Sequence, residues 1–269
     1  MRGAAAERAP AFVWLPASIG ILLLLAPLLA VLVRIEWTQV PAILTSETAL
    51  QALRLSLVTA ALATVLCVIL GVPIAIVLTR MRGFAAVLLR GAVMLPLILP
   101  PLVGGMALLL LFGRGGMLGE LGLQLQFTTA AVVLAQAFVA MPFLVISVEG
   151  ALRSADRELE AVAAGLGARP ATVLRRVTLP LIAPALYSGI ILSLTRALGE
   201  FGATAMFAGN APGTTQTIPL AIYTAFNGAG VGRDTALALA LLLICIAFAT
   251  LLLLHGRPAT RELLAKGAQ

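Results

Sequence analysis

The sequence consists of long apolar runs separated by short polar segments. Six of the runs hold about 20 residues or more, the length that a helix needs to cross the hydrocarbon core of a bilayer. They cover residues 12–33, 55–79, 85–112, 128–148, 181–207 and 236–254. We therefore predict an all-α integral membrane protein with about six transmembrane helices in a single domain over residues 1–269.

The first apolar run has two interpretations. Its length exceeds the apolar region of a secretory signal peptide, and no clear small-residue cleavage site follows it, so we expect a retained transmembrane helix. A cleaved signal peptide is the alternative.

One polar segment, LEAVAAGLGARPATVLRRVTLP at residues 159–180, stands apart from these runs. Its apolar positions follow the helical spacing i, i+3, i+4 and i+7, at Leu159, Val162, Ala163 and Leu166. Gly167 predicts the end of this helix, and Pro170 the start of a second short one. The segment is either a solvated loop, or two helices that dock in a groove of a partner on the cytoplasmic side.

The composition excludes several classes of protein function. Hydrophobic residues make up 61% of the chain and charged residues 11%. The one lysine, Lys266, lies near the end of the chain, which excludes an intact Walker A loop for ATP. The one histidine, His255, excludes a multi-histidine metal site. Cys67 and Cys245 lie in apolar runs and form no disulfide framework. We expect no catalytic residues and no metal ligands.

The basic residues predict the orientation of the chain. Most of them lie in the two termini and in the loops 80–90 and 149–180, whereas the other side carries only Arg34, Arg114 and Arg233. Because arginine and lysine concentrate in cytoplasmic loops, we predict that both termini and the 152–180 loop are cytoplasmic.

Charged residues and prolines inside the runs suggest a solute pathway. Arg196 and Glu200 lie four residues apart in the fifth run, where charges are costly and face a bundle interior or a wet cavity. They form either a structural ion pair or the lining of a path that favours an anion. Pro96, Pro100 and Pro101 in the third run either kink a helix or line that cavity.

The loop after the fifth run also has two interpretations. It is rich in turn residues, hydroxyls and amides, including Asn210, Gly213, Thr215 and Gln216. It is either a plain turn or a surface that hydrogen-bonds an oxyanion or a docking protein.

Two of these segments resemble a known family. The polar segment is similar to the cytoplasmic signature loop of permease subunits in ATP-binding-cassette importers, with matches at Glu160, Ala163, Ala164, Gly167, Leu179 and Pro180. The run ALGEFGAT, followed by GN, PG, TQT and IPLAIY, is similar to the permeases of molybdate and tungstate importers, which are relatives of the sulfate ones.

The resemblance implies the remaining expectations. The fold is that of type I importer permeases, and two copies form one pore in the cell (inner) membrane, in contact with the lipid bilayer. A separate pair of ATPase subunits holds ATP and Mg, so this chain carries no cofactor. An extracytoplasmic binding protein delivers molybdate or tungstate, which crosses by alternating access, and no nucleic acid is involved. A sulfate or thiosulfate importer is the first alternative, and an ion-gradient-driven secondary transporter is the second.

Overall fold

The structure, a computed structural model, describes residues 10–155, 157–228 and 232–255, and every regular element in these ranges is helical. The helices are α1 (Ala11–Arg34), α2 (Val40–Leu44), α3 (Glu47–Arg80), α4 (Phe84–Ile98), α5 (Pro101–Phe112), α6 (Thr129–Ser154), α7 (Arg157–Gly165), α8 (Pro170–Val173), α9 (Leu179–Leu198), α10 (Gly202–Phe207), α11 (Ile218–Phe226) and α12 (Arg233–His255). A π-helical turn, Leu174–Thr178, joins α8 to α9.

Five helical stretches in these ranges are long and apolar enough to cross a membrane, and a sixth is counted if α4 and α5 form one span. The predicted multi-pass helical architecture is therefore confirmed. The basic residues of the two termini, Lys266 included, lie outside the described residues, as does Asp156.

Small side chains allow α3, α6 and α9 to pack closely at the centre of the bundle. Cys67 of α3 lies with its Sγ 3.6 Å from the carbonyl oxygen of Ala137 in α6. A Cβ on Gly189 of α9 would lie 3.0 Å from the Cβ of Ser147 in α6, and Ser193 Oγ donates to the Ala140 carbonyl. Close backbone approach and interhelical hydrogen bonds drive such packing in a bilayer, where lipid is as apolar as leucine.

The first helix stands at the edge of this bundle. α1 packs against α12, and none of its described side chains is buried. A helix that is apolar on all sides and has no buried face is suited to contact lipid.

The two ends of the bundle differ. One end carries α7 together with the turn between α3 and α4, and we call it the α7 end. The other carries α2, α11 and the loops 113–128 and 208–217, and we call it the α11 end. Thr129 at the start of α6 donates to the Thr214 carbonyl there, and Ser56 of α3 accepts from the Ile218 amide.

The third predicted span, residues 85–112, is not one helix. It consists of α4 and α5, whose axes are bent by 115° at Leu99 and Pro100. Each proline lacks the N–H that continues a helix and forces an extended backbone on the residue before it. Leu99 has ψ 137° and Pro100 has ψ 133°, so the two consecutive prolines produce a sharp break where one would produce a kink.

The fifth predicted span, residues 181–207, is wrong at both ends. The helix already begins at Pro170, because α8, the π-helical turn and α9 follow one another without a break up to Leu198. Pro180 cannot donate to the carbonyl four residues earlier, and the Leu179 N–H bonds to Leu174 O in the wider π pattern. The predicted separate second loop helix is thus the first part of this span, and α10 is a distinct helix.

Candidate functional site

The bundle has two breaks, the one between α4 and α5 and a second between α9 and α10, at residues 199–201. The second break holds a buried ion pair. Arg196 lies in the last turn of α9, and Glu200 lies in the turn between α9 and α10. Arg196 Nη2 is 2.7 Å from Glu200 Oε2, and Glu200 Oε1 accepts a 2.9 Å hydrogen bond from the Ala203 N–H. The Glu200 side chain is 1% exposed and that of Arg196 is 28% exposed. The carboxylate therefore connects α9, through Arg196, to α10, through Ala203.

This ion pair is not fully satisfied. No donor among the described residues makes an aligned hydrogen bond to Glu200 Oε2, although Arg196 is close enough for charge attraction. A buried carboxylate oxygen without an aligned donor is costly. The guanidinium also keeps donors that no described residue uses. The pair can exchange partners with a small polar ligand at lower cost than a closed, fully bonded pair.

The two breaks meet and form the walls of one cavity. A Cβ on Gly202 of α10 would lie 2.7 Å from Pro101 Cβ, and one on Gly105 of α5 would lie 2.7 Å from the Ala203 carbonyl oxygen. The cavity has a volume of about 320 Å³ and is bounded by residues from both breaks. Its lining is Pro100, Pro101, Leu102, Arg196, Gly199, Glu200, Phe201 and Gly202.

The structure therefore brings four of the five predicted pathway residues together. Pro100 and Pro101 of the third run lie beside Arg196 and Glu200 of the fifth. Pro96 lies inside α4 and is not part of the cavity lining. The wall of this cavity is almost wholly apolar, and Arg196 contributes a positive charge at its edge that Glu200 partly offsets, so an anion would be held only weakly. Within the described ranges no group of three or more His, Cys, Asp or Glu residues could hold a metal ion.

The polar segment forms a helix with a defined end. Gly167 has φ +83°, its N–H bonds to Ala164 O, and the Ala168 N–H bonds to Ala163 O. These two bonds form a Schellman motif, in which glycine occupies the left-handed position after the helix. Four of the residues matched to the signature loop, Glu160, Ala163, Ala164 and Gly167, thus belong to α7 and its end.

Glu160 faces the bundle. Its Oε1 accepts a hydrogen bond from Thr178 Oγ1, and Thr178 is buried in the π-helical turn. Both line a small cavity against Arg80 and Leu152. The remaining two matched residues, Leu179 and Pro180, begin α9 directly after Thr178. Glu160 therefore ties α7 to the base of the fifth span.

The apolar face of α7 points away from the bundle. Leu159 is 50% exposed, Val162 is 61% exposed and Leu166 is 84% exposed. These are the residues that the helical spacing placed on one face, with Ala163 half-buried beside them. We call Leu159, Val162 and Leu166 the α7 apolar face. Its position at the end of the bundle, with no described element covering it, is typical of a protein-binding surface.

The polar side chains of the 208–217 loop at the α11 end form hydrogen bonds mainly within the loop and with α11. Asn210 Nδ2 donates to Thr224 Oγ1 at 2.7 Å, and Gln216 Nε2 donates to Asn210 Oδ1 at 3.0 Å. Thr215 is fully buried and its Oγ1 accepts from the Ala211 N–H. Gly213 has φ +74° and completes the turn. The predicted outer-loop residues are thus held in a hydrogen-bonded turn, and their side chains largely bond to one another.

Sequence reasoning missed a second charged cluster. Glu149 of α6 is bonded by two arginines, Arg90 of α4 and Arg153 of α6. The signal was present, because Arg90 lies near the start of the third apolar run and Glu149 directly follows the fourth, but a separation of 59 residues hides their contact. Gln136 of α6 is also fully buried, with no hydrogen-bond partner among the described residues.

The sequence is similar to a family of transport proteins and to named permeases. Residues 68–257 match the family described as "Binding-protein-dependent transport system inner membrane component". The chain is 51% identical over 242 residues to the molybdenum transport system permease protein ModB of Mycobacterium tuberculosis, covering 88% of this chain and 90% of that protein. It is 38% identical over 208 residues to ModB of Escherichia coli K12, covering 76% and 90%.

Solved structures support the fold. One chain of a bacterial alginate ABC transporter, crystallised with an alginate-pentasaccharide-bound periplasmic protein, superposes with a TM-score of 0.73. That chain is 17% identical in sequence, and the alignment covers 92% of this chain and 93% of that chain. The likeness confirms the predicted fold class, an all-helical importer permease of the type I kind.

Proposed function

Because this chain belongs to the family of binding-protein-dependent transport system inner membrane components, we propose that it is the membrane permease of an ATP-driven importer for molybdate. The assignment of molybdate as the substrate rests on the 51% identity to a molybdenum transport permease over 88% of the chain. The cavity between the two breaks supports the same conclusion, because its one cationic side chain suits an oxyanion. Tungstate, of the same shape and charge, is expected to share the path.

We infer the transport mechanism from the two breaks, between α4 and α5 and between α9 and α10. The cavity at Arg196 and Glu200 opens to one side of the membrane at a time, and the movement of α9 against α10 changes the contact between them. Arg196 attracts the anion, and Glu200 competes with it for the guanidinium, so the ion binds weakly enough to leave. Broken helices also occur in ion-gradient-driven transporters, but family membership favours the ATP-driven importer over that alternative.

The exposed apolar face at the α7 end suggests where the partner subunits bind. We infer that this end faces the cytoplasm, where a pair of ATPase subunits binds ATP and Mg and receives the α7 apolar face in a groove. Two copies of this chain form one pore about a two-fold axis, and an extracytoplasmic oxyanion-binding protein docks at the α11 end. We further infer that both chain termini are cytoplasmic, as the distribution of basic residues predicts.

Replacing Leu166 with aspartate is expected to release the ATPase. Leu166 is 84% exposed, so the change removes apolar docking area and adds a charge without disturbing the bundle. The amount of ATPase that co-purifies with the tagged permease should fall at least about tenfold, the loss of about 1.4 kcal/mol of binding. Leu121→Asp is the matched control, since Leu121 is 77% exposed in the loop at the α11 end. Equal ATPase recovery with both variants would contradict docking on α7.

The proposed substrate is tested by uptake into proteoliposomes. The vesicles contain this chain and its ATPase, with the binding protein added outside and ATP enclosed. Radiolabelled molybdate should accumulate only with ATP, and excess tungstate should suppress its uptake more strongly than excess sulfate. Stronger suppression by sulfate would assign the protein to sulfate import, and accumulation driven by an ion gradient without ATP would refute the ATP-driven mechanism.

A further inference from the structure

The charged cluster of Arg90, Glu149 and Arg153 lies at the α7 end, away from the cavity between the breaks. Arg90 Nε and Nη2 both bond to Glu149 Oε1, at 3.0 and 2.7 Å. Arg153 Nε and Nη2 bond to the same oxygen, at 3.1 and 2.9 Å. Arg90 precedes Pro100 by ten residues, most of them in α4, and the helical rise makes this a distance of about 15 Å. The cluster is therefore a site of its own.

The cluster carries an excess of positive charge. Two guanidinium groups share one carboxylate, and the Glu149 side chain is 8% exposed. One arginine is sufficient to neutralise a buried carboxylate, so the second leaves a net charge of +1 at the edge of an apolar bundle. The Nη1 group of each arginine has no partner among the described residues. These unused donors and the net charge are complementary to an anion.

Arg90, Glu149 and Arg153 line an open, mostly apolar cavity. It has a volume of about 440 Å³ and is bounded by α4 and α6. Met94 and Ile146 form its apolar wall, and Gly150 leaves its floor without a side chain. Arg90 is 34% exposed and Arg153 is 54% exposed, so both can reach a ligand without leaving Glu149. A tetrahedral oxyanion fits this arrangement of two planar guanidinium groups, since each can offer it at least one N–H.

We propose that this cluster is a second anion site, at the α7 end, that binds a tetrahedral oxyanion. Glu149 is a positioning residue that holds the two arginines at a spacing suited to one oxyanion. The ligand is either the transported oxometalate on its way out or the phosphate of an anionic lipid. Only the first of these identities rests on the proposed function, whereas the anion site itself does not.

The test is protection of arginine from chemical modification. The full importer, this chain with its ATPase, is purified in dodecyl maltoside and treated with phenylglyoxal, and modification of each arginine is followed by mass spectrometry. An exit site must release its ligand, so millimolar binding is expected. At about twice the dissociation constant of molybdate the site is about two-thirds occupied, and modification of Arg90 should slow about threefold. The same measurement in phosphatidylglycerol nanodiscs, without molybdate, tests the lipid.

Two variants make the assignment specific. Arg153→Gln keeps Glu149 paired with Arg90, so the fold is retained, but it removes half of the site and should abolish the protection of Arg90. Arg82→Gln is the control, because Arg82 is exposed at the same end and should leave protection unchanged. Protection in phosphatidylglycerol alone identifies the ligand as lipid. Protection by neither probe, or protection that survives Arg153→Gln, overturns the proposal.

The outcome is separable from that of the proposed function. If molybdate enters proteoliposomes but Arg90 is never protected, the second site is refuted and the importer stands. If no oxyanion is transported while phosphatidylglycerol still protects Arg90, the proposed substrate is refuted and the anion site stands.

Discussion

Glu200→Ala is expected to abolish transport. The change removes a carboxylate that is 1% exposed, leaves the Arg196 guanidinium without its partner and frees the Ala203 N–H. Breaking a buried ion pair on one side costs about 3–5 kcal/mol. The melting temperature of the purified importer should therefore fall, and molybdate uptake should drop by at least about a hundredfold, because α9 and α10 lose the contact that joins them across the break.

A double variant separates a structural pair from a pathway pair. Arg196→Leu with Glu200→Leu removes both charges, which often restores stability because no buried charge remains. If the pair is only structural, the double variant regains both melting temperature and uptake. If Arg196 attracts the anion, stability returns and uptake does not. Glu120→Gln serves as the control, since Glu120 is exposed in the loop at the α11 end and its change should alter neither measurement.

Gly105→Ala is expected to have the next largest effect. The new Cβ would lie 2.7 Å from the Ala203 carbonyl oxygen and 2.9 Å from its Cα, both of them backbone atoms. Neither can yield by a side-chain rotation, so α5 and α10 must separate. Overpacking of this kind costs about 1–3 kcal/mol. The separation deforms the cavity between the breaks, and uptake by proteoliposomes should fall at least about tenfold.

The matched control for this variant lies in the same chain. Gly91 is also helical, in α4, but a Cβ there would meet nothing within 4 Å. Gly91→Ala should leave uptake unchanged and stabilise the helix by up to about 1 kcal/mol. If the two alanine variants transport equally well, close contact of α5 with α10 is not needed for the pathway.

The spans could be predicted from hydropathy, and their breaks only in part. Runs of about 20 apolar residues specify a helix in a bilayer whatever its neighbours are, because the backbone must bond to itself. The prolines at 100 and 101 predicted a kink or a cavity wall, but neither the size of the 115° bend nor the packing of Pro101 against Gly202 of α10. The break at Gly199 carries no proline, so local sequence does not show it.

The sequence predicted the charged pair that lies inside an apolar run, where charged residues are few. It did not predict the charged cluster near the span ends, where charged residues are common. Arg196 and Glu200 stand out because they interrupt an apolar run, and a spacing of four residues suggests their contact. Arg90 and Glu149 lie near span ends, where charged side chains are usual, and their contact depends on how α4 packs on α6. The hydrogen bond of Glu160 to Thr178 could not be predicted either, because it depends on tertiary packing between residues 18 positions apart.

The continuity of α8, the π-helical turn and α9 makes the fifth span a lever. It runs for 29 residues from Pro170 to Leu198, about 43 Å at the helical rise. A tilt of about 5° about its α7 end would move Arg196, some 39 Å away, by about 3 Å. The Glu200 carboxylate is also hydrogen-bonded to the Ala203 N–H of α10, so a movement of α9 relative to α10 acts directly on this ion pair. A rotation of a few degrees at the docking surface would therefore produce a displacement as large as the 2.7 Å contact between Arg196 and Glu200.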